Sequence, residues 1–303
     1  MRILNTMAAH AIPFVPRSLI RKISRRYIAG ATLTDALDCV RALHSDGYHT
    51  TLDVLGETAS SPTEVETVAR EYRALIDALS ADGLRTELSI KPSALGLLFD
   101  AGGCKQQVLQ IIDAASRRGV SACIDMENVT CTQRTLDLFA EAEAAGADIG
   151  IALQAYLRRT YDDIVPLQRR TSRLRICKGI YAEADEHLVP GASLNRYAIN
   201  EHFTRHVSSA LRAGSFVGIA THDEALIDSL ISWVRREQIE PTRFEFQMLL
   251  GVCEPLRERL RAMGFQVRVY VPYGRDWYGY STRRIKENPR IAGYVLRALL
   301  NGS

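Results

Sequence analysis

No two of the 20 glycines stand two positions apart, so the chain has no G-x-G-x-x-G phosphate loop, the usual fingerprint of an open dinucleotide-binding sheet. None of the six cysteines (Cys39, Cys104, Cys123, Cys131, Cys177 and Cys253) forms a C-x-x-C pair. Most lie in apolar runs, so buried free thiols in a reducing compartment are expected, not a disulfide framework or a zinc site. There is no H-x-H or H-E-x-x-H either. Asp125, Glu127, His222 and Asp223 are therefore candidate metal ligands without a template, and no metal is expected. No apolar run approaches the roughly 20 residues of a membrane span and the start lacks a signal-peptide pattern, so a cytoplasmic protein is expected. A net charge of +3 is too small to argue for nucleic acid as a partner.

What is present is an ordinary core-forming chain, 47% hydrophobic and 24% charged. Its 303 residues suit one closed α/β barrel of about 250 residues with a short extension. A repeating pattern gives eight candidate strands over 48–54, 85–90, 120–124, 148–153, 173–177, 216–220, 243–248 and 266–271. Helical periods fall between and after them, over 63–81, 105–118, 132–145, 161–170, 195–213, 224–238, 254–263 and 275–288, with a helical tail over 291–300. Gly47, Gly83, Gly119, Gly146, Gly214 and Gly264 each precede a strand, as helix-ending glycines do. Eight alternations predict a (β/α)8 TIM-like barrel, with an open doubly wound sheet as the competing fold. The division expected is an N-terminal helical arm over 1–46, including a helix over 32–45, and a catalytic barrel over 47–303. Within the arm, VPRSLIRKISRRY at 15–27 interleaves five basic residues with Leu19, Ile20 and Ile23. Such a segment either lies peripherally on an anionic membrane surface or packs its apolar stripe on the main domain; in a eukaryotic protein it would also suit a transit peptide.

In a barrel of this kind the chemistry sits at the carboxyl ends of the strands. Here those ends are polar throughout: Asp53 and Glu57; Lys91; Asp125 and Glu127; Gln154 and Tyr156; Arg175, Lys178 and Tyr181; Thr221, His222 and Asp223; Glu245 and Gln247; Tyr270 and Tyr273. An isolated histidine is more often a satisfied core residue and a strand-end lysine often keeps its head in water. Eight polar endings in one chain favour a site. The last of them opens the stretch VYVPYGRDWYGYSTRRIKENP at 269–289, which reads as a strand broken at Pro272 and Gly274 and then a helix covering the barrel mouth. Tyr280, Arg283, Arg284 and Glu287 fall on one face of that helix, where two guanidiniums can hold one carboxylate in forked geometry.

This stretch, through Tyr270, Pro272, Gly274, Tyr278, Tyr280, Arg283, Arg284 and Glu287, resembles the terminal signature of the proline dehydrogenases. Gly279 departs from that pattern. The resemblance extends over SIKPSAL, IDME, LQAY, RICKGIY, ATHD and EFQMLLG, in order and at barrel spacing. It implies FAD across the mouth, held by Gln154, Arg175, Lys178, Gly179, Thr221, His222 and Glu245 or Gln247. It also implies L-proline or a close analogue with its carboxylate among Lys91, Arg283 and Arg284, Tyr270 against the ring, Leu249 and Tyr280 lining the site, and Asp125 and Glu287 balancing the cations. Glu57 resembles a glutamate that pairs with the first arginine. The implied reaction is hydride transfer from C5 of the ring to flavin N5, the first step of proline catabolism. Electrons would leave to a quinone or other acceptor and the product to a separate pyrroline-5-carboxylate dehydrogenase. Two alternatives stand beside it: a flavin enzyme for another cyclic amino acid, kept open by Ile180 and Gly279, and a non-catalytic ligand-binding barrel.

Overall fold

The computed structural model describes residues 20, 24–56 and 58–287, the side chains of 283–287 excepted. Eight parallel strands close into a barrel in sequence order: β1 (His49–Val54), β2 (Thr86–Ile90), β3 (Ala122–Ile124), β4 (Ile149–Gln154), β5 (Arg173–Cys177), β6 (Val217–Ala220), β7 (Phe244–Leu249) and β8 (Val267–Tyr273). β8 returns to β1 with Tyr270 beside Thr51 and Pro272 beside Asp53. The helices are α1 (Leu33–Ser45), α2 (Pro62–Asp82), α3 (Ala101–Arg117), α4 (Val129–Ala144), α5 (Thr160–Arg169), α6 (Ile199–Ala213), α7 (Glu224–Arg236), α8 (Glu254–Ala262) and α9 (Trp277–Glu287). The junction glycines all take positive φ. The expected helix near 195 begins only at Ile199, after a short 3-10 turn at Arg196–Ala198.

Strand alternation sorts the residues into two environments. Leu88, Ile90, Ile124, Ile151, Leu174, Ile176, Ile219, Phe246, Val269 and Val271 are buried against the helices, each contributing roughly 1.5–3 kcal/mol of apolar burial. The helices answer with their own apolar stripes, such as Tyr72, Leu75, Ile76 and Leu79 of α2. Inward positions are the opposite. A barrel of this class usually fills its interior with branched apolar side chains, whereas here Glu87, Arg175, Glu245 and Gln247 are buried inside.

The seam between the last and first strands is covered by α1, which packs against β1 and β8 with Ala36, Leu37, Val40 and Leu43. Thr32 and Asp35 close its start as a capping box. α9 begins just beyond Gly274, at the carboxyl-terminal end of the barrel. The tail at 291–300 lies outside the described residues.

β8 does not stop at Pro272 as expected but runs to Tyr273. β7 ends where Leu249 pairs with Tyr270, so Pro272 lies past its neighbour's end, where no ladder N–H is needed. Its carbonyl accepts Ala29 N–H at 2.9 Å, and Gly274 N–H donates to Gly30 O at 3.0 Å.

Candidate functional site

Alternation sets the site in tiers. Residues two apart on a strand point the same way and stand about 6.6 Å apart along it, so each strand sends side chains into the barrel at several depths. Arg175, in the middle of β5, is the hub of the central tier. Its Nε donates to Gln247 Oε1 at 2.7 Å, Nη1 to Asp125 Oδ1 at 2.6 Å and Nη2 to Glu87 Oε1 at 2.5 Å. The guanidinium also lies 5.4 Å from the centre of the Tyr270 ring. Every face of this cation is thus fixed by another strand. Gln247 fits because β6 carries Gly218 beside it: a Cβ there would lie 2.3 Å from the Gln247 carboxamide nitrogen.

Toward the mouth, Lys91 follows β2 and forms an ion pair with Asp53 at the end of β1. The Tyr270 hydroxyl donates to Asp125 Oδ2 at 2.7 Å and lies 3.1 Å from Ser89 Oγ. Burial, with Asp125 and Asp53 nearby, pushes the Tyr270 phenol well above its ordinary value, so it stays a neutral donor. Burial likewise raises the Asp53 carboxyl, with Lys91 opposing and Asp125 reinforcing the shift. The Lys91 backbone is anchored by the Tyr72 hydroxyl, which accepts its N–H at 3.3 Å. The turn after it is tied by Glu127, whose carboxylate accepts both Ser93 N–H, at 2.7 Å, and the Ser93 hydroxyl.

On the other side of the mouth, Lys178 Nζ donates to Asp223 Oδ2 at 2.7 Å, and Asn200 donates to the same oxygen at 3.0 Å. Burial alone would raise the Asp223 carboxyl, but these bonds hold it below its usual range. Thr221 Oγ1 accepts Asp223 N–H at 3.2 Å. His222 Nε2 accepts Leu249 N–H at 2.9 Å, joining the ends of β6 and β7. Gly179 has φ 96°, and a Cβ there would lie 2.2 Å from the Tyr156 ring; its glycine is demanded by that packing. Gln154 ends β4 with its Nε2 on Met126 O at 3.3 Å, while its buried Oε1 has no partner among the described residues. A bound group with its own N–H donor would satisfy that oxygen. Together with the cations Lys178 and Arg175, the donor set suits an anionic heterocycle bearing both carbonyls and N–H groups.

The strand ends therefore bring together Lys91, Asp125, Arg175, Gln247 and Tyr270, and separately Lys178, Thr221, Asp223 and His222 with Leu249. Glu245 is not among them. Expected at the mouth, it is the second residue of β7 and faces the amino-terminal half of the barrel, bonded to Arg268 Nε at 2.5 Å and Gln247 Nε2 at 2.8 Å. Two further residues of β7 separate it from Met248 and Leu249, which is too far for a side chain at the mouth. Burial alone would raise its carboxyl, but His49, Arg268 and Gln247 hold it at about 2. Tyr280 is buried on α9. Arg283, Arg284 and Glu287 belong to the same helix, but their side chains, like Glu57, lie outside the described residues.

Two site residues were not foreseen in their roles. Asp53 was noted only as a strand end, and Glu87 was not singled out at all. The signal for Glu87 is in TELSIK, where Glu87, Ser89 and Lys91 alternate with Leu88 and Ile90.

A family model for proline dehydrogenase matches residues 36–297. The chain is 36% identical over 291 residues to the proline dehydrogenase of Deinococcus radiodurans, covering 94% of this chain and 93% of that one. Against proline dehydrogenase 1 of Bacillus subtilis it is 34% identical over 277 residues, covering 91% and 90%. Among solved structures, proline utilization A of Bdellovibrio bacteriovorus inactivated by N-propargylglycine superposes with a TM-score of 0.81 at 22% identity, covering 88% of this chain and 33% of that one. At that identity the superposition speaks for the barrel fold alone.

Proposed function

The chain belongs to the proline dehydrogenase family, and from that premise we propose that it oxidises L-proline to 1-pyrroline-5-carboxylate with FAD as its flavin. The observation that carries this reading is the convergence of Lys91, Arg175 and Tyr270, from three strands, through Asp53 and Asp125 into one buried cluster. Bound at the mouth, FAD supplies the two-electron acceptor for a hydride leaving C5 of the ring.

The residues have separable tasks. Arg175, Lys178, Gln154, Gly179, Thr221, His222 and Gln247 would hold the cofactor, and Arg175 is suited to stabilise developing negative charge because its three hydrogen bonds fix it before reaction begins. Lys91, with Arg283 and Arg284 of α9, would take the substrate carboxylate. Tyr270 would pack on the ring, with Leu249 and Tyr280 lining the pocket, and Asp125 aims both Tyr270 and Arg175. Glu287 would balance the arginines, since uncompensated buried cations are costly.

Electrons would pass on to a quinone or another acceptor, and the product to a separate pyrroline-5-carboxylate dehydrogenase. Among the described residues no helix is long and apolar enough to cross a membrane. We propose a cytoplasmic enzyme with an arm over 1–46 whose α1 lies on the barrel of 47–303. Within the basic segment at 15–27, Ile20, Ser24 and Tyr27 are buried and Arg26 pairs with Glu254, which favours packing on the protein over peripheral membrane contact through an apolar face. The test is an absorption spectrum of the purified protein followed by anaerobic L-proline. Oxidised-flavin bands that bleach on addition of proline are expected, with turnover on an artificial acceptor. A protein that is colourless, cannot be reconstituted with FAD and turns over only with NAD would refute the assignment.

A further inference from the structure

Oxidation of a ring amine by hydride loss needs the nitrogen lone pair, yet the substrate arrives as a zwitterion with that pair protonated. Some group must take the proton. Among the described carboxylates of the mouth, most are fully committed. Asp125 uses one oxygen for Arg175 and the other for Tyr270. Glu127 uses both for Ser93, and Asp223 uses both for Lys178, Asn200 and Leu226 N–H. Asp53 differs: it is 1% exposed, its ion-pair partner is Lys91, a flexible side chain with three rotatable donors, and its other contact, the Tyr270 hydroxyl, is shared with Asp125. Around it stand Lys91 after β2, Asp125 after β3, Tyr270 and Tyr273 of β8, and Tyr72 of α2.

Resting on the proline-oxidising reading above, we infer that Asp53 accepts the proton lost by the substrate's ring ammonium and in the same exchange gives up Lys91 to the substrate's carboxylate. The N–H bond breaks, an O–H bond forms on Asp53, and the electron pair stays on nitrogen. Before the exchange all four participating groups, Lys91, Asp53, the ammonium and the carboxylate, carry a formal charge. Afterwards two of the four do, Lys91 and the substrate carboxylate, as one pair. Net charge is unchanged, but two fewer ions are buried, and burying ions is what a dry site penalises. The same burial that raises the Asp53 carboxyl makes it a better proton acceptor than a solvent-exposed aspartate.

The experiment uses the flavin-loaded enzyme and Asp53→Asn. It measures flavin content, melting temperature, kcat/KM for L-proline between about pH 6 and pH 10, and binding of cyclopentanecarboxylate, a ring acid without the amine, by flavin difference spectrum. The variant should keep its flavin and bind cyclopentanecarboxylate at least as tightly as the parent, because Lys91 no longer has a competing carboxylate. Its kcat/KM should fall roughly 100-fold near neutrality, the deficit shrinking by up to about tenfold per pH unit as free substrate loses its own proton. A deficit equal at every pH with weakened ring-acid binding would reduce Asp53 to a support for Lys91, and parental kinetics would make it a bystander; either overturns the exchange. If Asp53→Asn does not fold, Lys91→Met reads the same carboxylate: without its counter-ion the acid limb of kcat/KM should move to higher pH by about one unit or more, and an unmoved limb refutes the inference. A parent enzyme that binds the ring acid but never oxidises proline instead overturns the proposed function.

Discussion

Glu87→Gln tests whether the barrel interior is a dry ionic lattice or a hydrated one. The Glu87 carboxylate, 4% exposed, accepts from Arg175 at 2.5 Å and from Thr51 Oγ1 at 3.0 Å, and faces Arg173 at 3.4 Å. Gln keeps the shape and one acceptor oxygen but replaces the other with a donor in front of guanidinium groups. Removing one partner of a buried pair typically costs about 3–5 kcal/mol. Arg175 would still hold Asp125 and Gln247, and Arg173 would still hold Ala122 O at 2.7 Å, so the lower end, about 3 kcal/mol, is expected. That corresponds to a fall in Tm on the order of 5–10 °C. Equilibrium urea unfolding of the parent, Glu87→Gln, Arg173→Gln and the double variant would give the cycle. The double variant should cost less than the sum of the singles by about 1–2 kcal/mol. A Glu87→Gln loss under about 0.5 kcal/mol, with additive singles, would mean that water already shares these charges and that the lattice does not hold Arg175 in place.

Arg283→Met and Arg284→Met should each lower kcat/KM for L-proline by roughly 30-fold or more, since a charge-assisted bond to the carboxylate is lost, while flavin content is kept; near-normal kinetics in both would remove the clamp. His206 on α6 lies 4.4 Å from the Tyr161 ring, and burial, with His202 nearby, holds its imidazolium down to about 4. The unfolded chain therefore binds the extra proton between about pH 6.5 and pH 4, so this residue's contribution is full above that window and is lost as pH falls through it, by up to roughly 3 kcal/mol. His206→Phe should flatten stability across the window, measured by urea midpoints at stepped pH; an unchanged slope would show that the imidazole is hydrated or already charged.

The barrel was legible because its outward residues keep strict alternation and its helices keep their stripes, both local patterns. The mouth was legible at Lys91, Asp125 and Tyr270 because a strand's last residues need no knowledge of their partners. Glu87 was not, for a physical reason. Strands of a parallel barrel are buried on both faces and normally read as apolar runs, so a mid-strand glutamate suggests an exposed position until three cations from β5 and β8 are known to face it. Those partners are 86 or more residues away in sequence, and no local rule links them. Glu245 was misplaced through the same blindness: polarity in a strand was taken as nearness to the mouth, when depth depends on which residue is last to pair. At Pro272 the rule against proline in strands was sound, but it applies only where a neighbouring strand still needs the N–H.

The seam closed by α1 separates two duties that a helix after β8 would otherwise combine. A wall helix must stay packed, whereas a helix that handles a ligand gains from being free to reposition. Because α1 covers the seam, α9 is not needed for that job, and under the proposed function its sequence can answer to the ligand as well as to its own packing through Tyr280 and Ser281. The cost falls at the front of the chain: trimmed to begin at residue 47, the protein would not lose an appendage but would bare Val267, Val269 and Val271 along a groove, an adhesive strip through which copies would clump before any catalytic defect could be measured.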